Sequence, residues 1–168
     1  FRQALHAERP AFQVLAVHGP PGSGKTTLLK RFAAECSYVG IGNTLMDARR
    51  VQTVPHLFLR ALHSALALNE DEELTAALAR RGRFLLMIDN YDVLHSLHDW
   101  LCEAVFPQLP ASTILVVASR EPPPDLWRRD PAWRELVCTV TLGNFSPDET
   151  RTYLTLRAVP EREHARLI

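Results

Sequence analysis

Short apolar runs alternate with longer amphipathic segments along this chain. Compact apolar runs bounded by turn residues are typical of buried strands, and apolar positions three or four residues apart are typical of helices. Strands that alternate with helices indicate parallel strands joined by crossover helices. The pattern therefore predicts an α/β fold with three α/β/α layers and a parallel sheet of about five strands.

Five segments carry the strand pattern: Phe12–Gly19, Tyr38–Met46, Arg83–Asp89, Ser112–Arg120 and Leu136–Phe145. The third and fourth are nearly continuous apolar runs, which predicts central strands buried on both faces. Polar residues stand at the ends of these two strands, and ligands of open α/β sheets bind at that edge.

Five further segments carry helical spacing or helix-end signals: Gly24–Cys36, Val54–Leu68, Asp71–Gly82, Val93–Phe106 and Ser146–Pro160. The third should have acidic residues in its first turn, and Pro107 should close the fourth. Ser146 and Glu149 have the spacing of a capping box at the start of the last helix.

The segment Gly19–Thr26 reads GPPGSGKT and fits the phosphate-binding loop pattern G-x-x-x-x-G-K-[ST], the P-loop. It follows a predicted strand and opens a predicted helix, which is the context that this pattern requires. Glycines let backbone N–H groups point at phosphate oxygens, and Lys25 supplies a positive charge to the β- and γ-phosphates. The expected nucleotide contacts are Gly19, Pro20, Pro21, Gly22, Ser23, Gly24, Lys25, Thr26 and Thr27.

Two residues are expected to hold Mg²⁺ beside this loop. The hydroxyl of Thr26 should ligate the ion, and the carboxylate of Asp89, at the end of the apolar run FLLMID, should hold it through water. An apolar strand that ends in Asp is common for turn reasons alone. The metal role of Asp89 therefore depends on the P-loop in the same chain.

Asn90 follows Asp89, where many nucleotide hydrolases carry a carboxylate. An amide can orient water but cannot take its proton. Asp92 is the nearest other carboxylate, and it is a general base, the N-cap of the next helix, or both. Arg120, after the fourth strand, either contacts the terminal phosphate or is a solvated loop arginine. The candidate catalytic residues are Lys25, Asn90, Asp92 and Arg120.

Other side chains are less informative. His95 and His98 lie three apart without a third metal ligand and are expected to be surface histidines. Trp127 and Trp133, among several arginines, either pack in the core or contact nucleic acid or a partner. The cysteines, Cys36, Cys102 and Cys138, have no paired spacing and are expected to be small buried residues in a reducing cytoplasm.

Composition narrows the function class. Among 168 residues, 19 are Lys or Arg and 19 are Asp or Glu, so the net charge is near zero. Nucleic-acid surfaces normally carry a basic excess, so direct nucleic-acid binding is not expected. No apolar run approaches the roughly 18 residues that span a bilayer, and the N-terminus lacks a signal peptide pattern. The expected location is the cytoplasm, without a membrane partner.

Several of these segments together resemble the nucleotide-binding domain of STAND ATPases, an AAA+-like group of P-loop proteins that includes bacterial regulators. The likeness covers about Ala11–Ala158. DNYD, from Asp89 to Asp92, is similar to the D-N-x-E box of some bacterial members, and ASR, ending at Arg120, is similar to their phosphate-sensing T-S-R. The segment Leu142–Leu154 resembles the start of their small helical domain.

The resemblance implies ATP or ADP as ligand with Mg²⁺, slow ATP hydrolysis, and a switch role in signal transduction or transcription regulation. It divides the chain into a nucleotide-binding domain, 1–145, and the beginning of a truncated helical lid domain, 146–168. The family's G-x-P lid motif and upstream segment are absent, so we expect a core taken from a larger regulator. Expected partners are the nucleotide, other domains of the parent chain, and a second copy in ATP-dependent self-association.

Three alternatives remain at this stage. One is an AAA+ ATPase related to replication initiators or loaders and acting on DNA. Another is a small-molecule phosphotransferase, for which the Pro-rich segment Glu121–Asp130 is a poor acceptor lid. The third is a nucleotide-binding scaffold that never hydrolyses its ligand.

Overall fold

A five-stranded parallel sheet forms the centre of the molecule. The computed structural model describes residues 1–7, 10–69 and 71–167, the last three of them by their backbone alone. The strands are β1 Val14–His18, β2 Gly42–Asp47, β3 Phe84–Asp89, β4 Thr113–Ser119 and β5 Val137–Thr141. Their order in the sheet is β2-β3-β4-β1-β5, and every pair is parallel. The predicted α/β class and the parallel sheet of about five strands are confirmed.

Helices cover both faces of the sheet. They are α1 Arg2–His6, α2 Lys25–Tyr38, α3 Pro55–Ala65, α4 Leu74–Arg80, α5 His98–Trp100, α6 Asp125–Arg129, α7 Pro131–Leu136, α8 Pro147–Leu156 and α9 Glu161–Leu167. Short 3₁₀ turns occupy Ala48–Arg50, Tyr91–Leu97 and Phe106–Gln108, and a π-helical turn occupies Leu101–Val105.

The apolar runs of β3 and β4 are buried at every position because helices pack on both sides of them. Successive side chains of a strand point to opposite faces. Leu85 and Met87 therefore pack with Leu29 of α2 on one face, and Leu86 packs with Phe58 of α3 on the other. This two-sided core fixes the ends of β3 and β4, from which polar residues reach the site described below.

Two predicted boundaries are wrong. The second strand was expected over Tyr38–Met46, but α2 continues to Tyr38 and β2 begins only at Gly42. Gly40 makes the turn between them at a φ of 74°, a conformation that favours glycine. The acidic residues expected in the first turn of α4 instead precede it, with Glu73 at the N-cap.

The helix predicted over Val93–Phe106 is not regular. A 3₁₀ turn starts directly after β3 at Tyr91, and the chain then passes through α5 and the π-helical turn. Pro107 lies inside the last 3₁₀ turn and does not close a helix. By contrast, the capping box of α8 is confirmed, since Ser146 and Glu149 exchange both hydrogen bonds. The division of the chain at residue 146 stays a prediction.

Candidate functional site

The carboxyl ends of the parallel strands lie side by side at one edge of the sheet. Asp47 of β2 is in register with Asp89 of β3, and His18 of β1 is in register with Ser119 of β4. Loops that leave this edge carry the polar residues singled out from the sequence. In open α/β sheets this edge is where ligands bind.

The loop Gly19–Gly24 connects β1 to α2 and curls in the way that its glycines allow. Gly22 and Gly24 have φ values of 84° and 89°, in the region that side chains with a Cβ avoid. Gly19 is constrained differently, because a Cβ there would stand 2.0 Å from the carbonyl oxygen of Leu142. The loop is thereby pressed against the segment that follows β5.

Lys25 is the first residue of α2, and its side chain folds back over the loop. Its Nζ donates to the carbonyl oxygens of Gly19 at 2.7 Å and Pro20 at 2.8 Å, and it lies 3.4 Å from Oγ of Ser23. The N-cap residue of α2 is Gly24, which has no side chain to cap the helix. The first N–H groups of this 14-residue helix and the ammonium group therefore give the loop a positive field suited to phosphate.

Asp89 ends β3 and is buried, with 5% of its surface exposed. Its Oδ2 accepts a 2.6 Å hydrogen bond from Oγ1 of Thr26, and its Oδ1 accepts from the backbone N–H of Asn90 at 2.9 Å. A hydroxyl and a carboxylate oxygen in contact are the donor types that Mg²⁺ prefers. The chemistry of Thr26 and Asp89 thus fits the predicted metal.

Asn90 has a left-handed backbone, with φ 55° and ψ 41°. Its Nδ2 donates to Oδ1 of Asp47 at 2.9 Å. Asp47 in turn forms a bidentate pair with Arg49, whose Nη2 lies 2.7 Å from Oδ2 and whose Nε lies 3.0 Å from Oδ1. The guanidinium of Arg49 is the main cause that lowers the pKa of Asp47 to about 2.

Asp47 and Arg49 are not among the site residues predicted from the sequence. A signal was present, because Asp47 directly follows the predicted second strand, as Asp89 ends the third. What the sequence lacks is the strand order, which makes β2 the neighbour of β3.

Asp92 is not an N-cap, so that alternative is wrong. Asn90 holds the cap position of the 3₁₀ turn, and Asp92 lies within the first turn. The carboxylate Oδ1 of Asp92 accepts a hydrogen bond of 3.2 Å from the backbone N–H of Arg120. The ends of β3 and β4 are therefore joined by this carboxylate.

A cavity of about 330 Å³ lies between the loop and these strand ends. It is lined by Pro21, Gly22, Gly24, Lys25, Thr26, Thr27, Asp89, Asn90, Asp92, Ala118 and Arg120. The predicted metal ligands and all four candidate catalytic residues thus share one cavity. Gly19, Pro20 and Ser23 are not among the lining residues, and their oxygens contact Nζ of Lys25.

Beneath the site, Tyr91 begins a buried aromatic cluster. Trp127 is 1% exposed and stacks on Tyr91, with ring centroids 5.9 Å apart, and on Trp133 at 6.0 Å. The packing interpretation of these tryptophans is confirmed. Arg128 and Arg129, beside them, form ion pairs with Asp125.

His98 is 4% exposed, so its prediction as a surface histidine is wrong, whereas His95 is exposed. Nδ1 of His98 lies 2.8 Å from the hydroxyl of Tyr91, and Nε2 of His98 lies 3.5 Å from Sγ of Cys102. The same Sγ accepts a hydrogen bond from Nε1 of Trp127. Burial lowers the pKa of His98 and raises the pKa of Cys102 to about 12. These groups are neutral structural partners.

Cys36 and Cys102 are buried, as expected, and Cys138 is half-buried. Over residues 1–7, 10–69 and 71–167, no helix has both the length and the apolar character needed to cross a membrane.

Known structures share this architecture. The Orc1 protein of Aeropyrum pernix in complex with DNA is 21% identical, with a TM-score of 0.64 over 93% of this chain and 45% of that one. Cdc6p of Pyrobaculum aerophilum is 16% identical, with a TM-score of 0.62 over 94% and 45%. The Drosophila ORC bound to DNA is 16% identical, with a TM-score of 0.58 over 85% and 40%. This chain spans less than half the length of each.

At these identities the similarity concerns the fold. No curated protein sequence matches the chain significantly. The model of the NACHT domain family, however, matches residues 13–160, which is most of the chain. The resemblance to STAND ATPases is thereby confirmed, and the chain belongs to the NACHT family of STAND-class P-loop NTPases as a nucleotide-binding domain.

Proposed function

We propose that this domain binds ATP and ADP with Mg²⁺ and acts as a molecular switch that hydrolyses ATP slowly. The observation that carries the proposal is the composition of the cavity. It combines Lys25 and the Thr26–Asp89 pair with the amide of Asn90, which directly follows Asp89 in the sequence. The first features favour tight phosphate binding, and the amide disfavours rapid proton abstraction from water.

Phosphate binding would exchange one set of contacts of Lys25 for another. Its ammonium group now satisfies the carbonyls of Gly19 and Pro20, and a phosphate would offer it a charged acceptor. The N–H groups at the start of α2 would add donors on the same side. Arg120, exposed at the cavity wall, is our candidate for contact with the terminal phosphate.

Thr26 and Asp89 would hold Mg²⁺, which when bound neutralises charge on the phosphates. Asp89 is kept in place by the backbone N–H of Asn90, so it remains oriented when Thr26 turns toward the ion. Water would be oriented by Asn90 or deprotonated by Asp92. The second route is weakened because Asp92 already accepts a hydrogen bond from the N–H of Arg120.

The switch part of the proposal draws support from the contact between the loop and the chain after β5. The N–H of Leu142 donates to the carbonyl of His18 at 2.7 Å, and the carbonyl of Leu142 packs on Gly19. Movement of the P-loop would thus shift the segment that leads to α8, the start of the proposed lid. Bound nucleotide would bias the packing of neighbouring domains in a larger parent chain, or ATP-dependent self-association.

A second candidate is an ATPase that acts on DNA. The observation that favours it is the shared fold with DNA-bound Orc1 and ORC proteins. The neutral net charge and the pairing of Arg128 and Arg129 with Asp125 disfavour it. DNA affinity that falls steeply with added salt would support this candidate over the switch.

The test is to purify the protein, extract its nucleotide and measure its turnover. We expect bound ADP, and an ATP turnover well below the enzymatic median of about 10 per second. Rapid turnover by the isolated domain, or protein that neither retains nor binds adenine nucleotide, would refute the switch proposal.

A further inference from the structure

Asp47 reaches the nucleotide cavity only through another residue. It ends β2, in register with Asp89 of β3, but its side chain contacts Asn90. Asp47 is absent from the cavity lining, whereas Asn90 is part of it. The contact therefore joins a residue of the cavity to a carboxylate on the neighbouring strand.

The carboxylate of Asp47 is itself held firmly. Its Oδ1 accepts from the backbone N–H of Arg49 at 3.1 Å and from Nε at 3.0 Å, while Oδ2 lies 2.7 Å from Nη2. Two parallel contacts to a planar guanidinium fix both the position and the rotation of a carboxylate. Asp47 is also 23% exposed at its side chain, so water screens the pair only in part.

This arrangement fixes which end of the Asn90 carboxamide faces β2. An ionised carboxylate has acceptor oxygens only, so the group that faces it must be the NH₂ end. The amide oxygen is then directed away from Asp47. Within residues 1–7, 10–69 and 71–167, no side chain or backbone N–H donates to that oxygen.

The backbone of Asn90 is constrained at the same time. Its N–H donates to Asp89 and its φ of 55° lies in the left-handed region, which Asn tolerates better than most residues. A side chain fixed at its backbone and at its NH₂ end has one free polar atom, the amide oxygen. That atom can accept a hydrogen bond from water in the cavity.

We propose that Asp47, anchored by Arg49, is a positioning residue of the nucleotide site: it orients Asn90 so that the amide oxygen faces the cavity and accepts a hydrogen bond from the attacking water. This inference rests on the proposed function, because it concerns the slow hydrolysis. Asp47 does not line the cavity, so it would act through Asn90. It determines whether Asn90 offers water an acceptor or a donor.

A purely structural role for Asp47 is the competing explanation. Asp47 also caps the 3₁₀ turn Ala48–Arg50 through the N–H of Arg49, so its loss could loosen that turn. The two roles differ in what they require of Asn90. Capping works without Asn90, whereas positioning acts through it.

The main experiment is a double-mutant cycle with Asp47→Ala, Asn90→Ala and the double variant. Single-turnover hydrolysis and the dissociation constant of ATP are measured for each. We expect Asp47→Ala to slow hydrolysis roughly 10- to 100-fold and to change ATP affinity less than about twofold, since misplaced groups cost rate more than binding. In the Asn90→Ala background, Asp47→Ala should have almost no further effect.

Asp148→Ala is the matched control, because Asp148 forms an exposed ion pair with Arg151 at 2.9 Å in α8. Its hydrolysis rate should equal that of the unaltered protein. Additive rate losses in the cycle, or an unchanged rate in Asp47→Ala, would overturn the inference.

A second readout does not depend on hydrolysis. The Asn90 side-chain NH₂ signals, assigned by their loss in Asn90→Ser, should exchange slowly with solvent in the unaltered protein. In Asp47→Ala their exchange should be at least tenfold faster, because the acceptor of Nδ2 is gone. If the protein does not hydrolyse ATP, the proposed function fails while this measurement still decides the orientation of Asn90. Equal exchange rates in both proteins would overturn the inference that Asp47 orients Asn90.

Discussion

The hydroxyl of Thr26 donates a 2.6 Å hydrogen bond to the carboxylate of Asp89 across 63 positions of sequence. It joins the first turn of α2 to the end of β3, the two parts that a P-loop protein needs to bring together. We propose that Thr26 would ligate Mg²⁺ and that Asp89 would hold the same ion through water. This bond would then mark the place where phosphate and metal bind.

Asp89→Asn should make ATP binding insensitive to Mg²⁺. An amide oxygen carries no charge to attract the ion, so the gain in ATP affinity on adding Mg²⁺ should fall by roughly tenfold or more. The measurement is the dissociation constant of ATP with Mg²⁺ and with EDTA. Asp71→Asn, at an exposed position before α4, should respond to Mg²⁺ as the unaltered protein does. An unchanged Mg²⁺ response in Asp89→Asn would contradict the metal role.

Lys25→Ala should weaken nucleotide binding by roughly tenfold to more than a hundredfold. It removes a charged donor aimed at the phosphates, and such contacts contribute about 1.5–3 kcal/mol or more. The variant should still fold, because Lys25 contacts only loop oxygens at the surface of the site. Lys30→Ala, on the exposed side of the same helix, is the control and should bind ATP normally. Calorimetric titration with ATP compares the variants, and equal affinities would refute the phosphate site.

Much of this site could be predicted from the sequence because its parts are local patterns. GPPGSGKT fixes the loop by its glycines and by the lysine and threonine that open a helix, and FLLMID places Asp89 at a strand end. These features depend on residues that are close in sequence. The cavity brings them together where the patterns predicted.

What could not be predicted depends on contacts across the sheet. The position of Asp47 follows from the strand order, since β2 could not be placed beside β3 from spacing alone. His98 was misjudged for the same reason, because Trp127, which buries it, is distant in sequence. The irregular helix after Tyr91 has a helical pattern, and nothing in its residues indicates the π-helical turn.

Gly19→Ala should disturb the loop through a steric clash. The added Cβ would stand 2.0 Å from the backbone oxygen of Leu142, which cannot move without shifting the strand end. Overpacking of this kind destabilises by about 1–3 kcal/mol, and ATP affinity should fall with it. Gly143→Ala is the matched control, since among residues 1–7, 10–69 and 71–167 no heavy atom beyond its two chain neighbours lies within 4 Å of its Cβ position. Urea unfolding and ATP titration of both variants test this, and similar results for the two would contradict the clash.

Acidification should destabilise the domain through His98. Burial lowers the pKa of His98 in the folded protein below its usual value of 6.5, so the unfolded chain binds a proton more readily. The contribution of neutral His98 to the free energy of unfolding should then be fully present above pH 6.5 and be lost as the pH falls toward the folded pKa. One such group changes the free energy of unfolding by at most about 1.4 kcal/mol per pH unit.

The comparison of His98→Gln with His95→Gln isolates this effect, because His95 is exposed and three positions away. Urea unfolding at pH 7.5 and 5.5 gives the loss of stability for each protein. His95→Gln should lose as much as the unaltered protein, whereas His98→Gln should lose less, since its buried side chain cannot be protonated. It should also be less stable at pH 7.5, because the 2.8 Å contact with Tyr91 is altered. Equal losses in all three proteins would show that His98 does not carry the acid sensitivity.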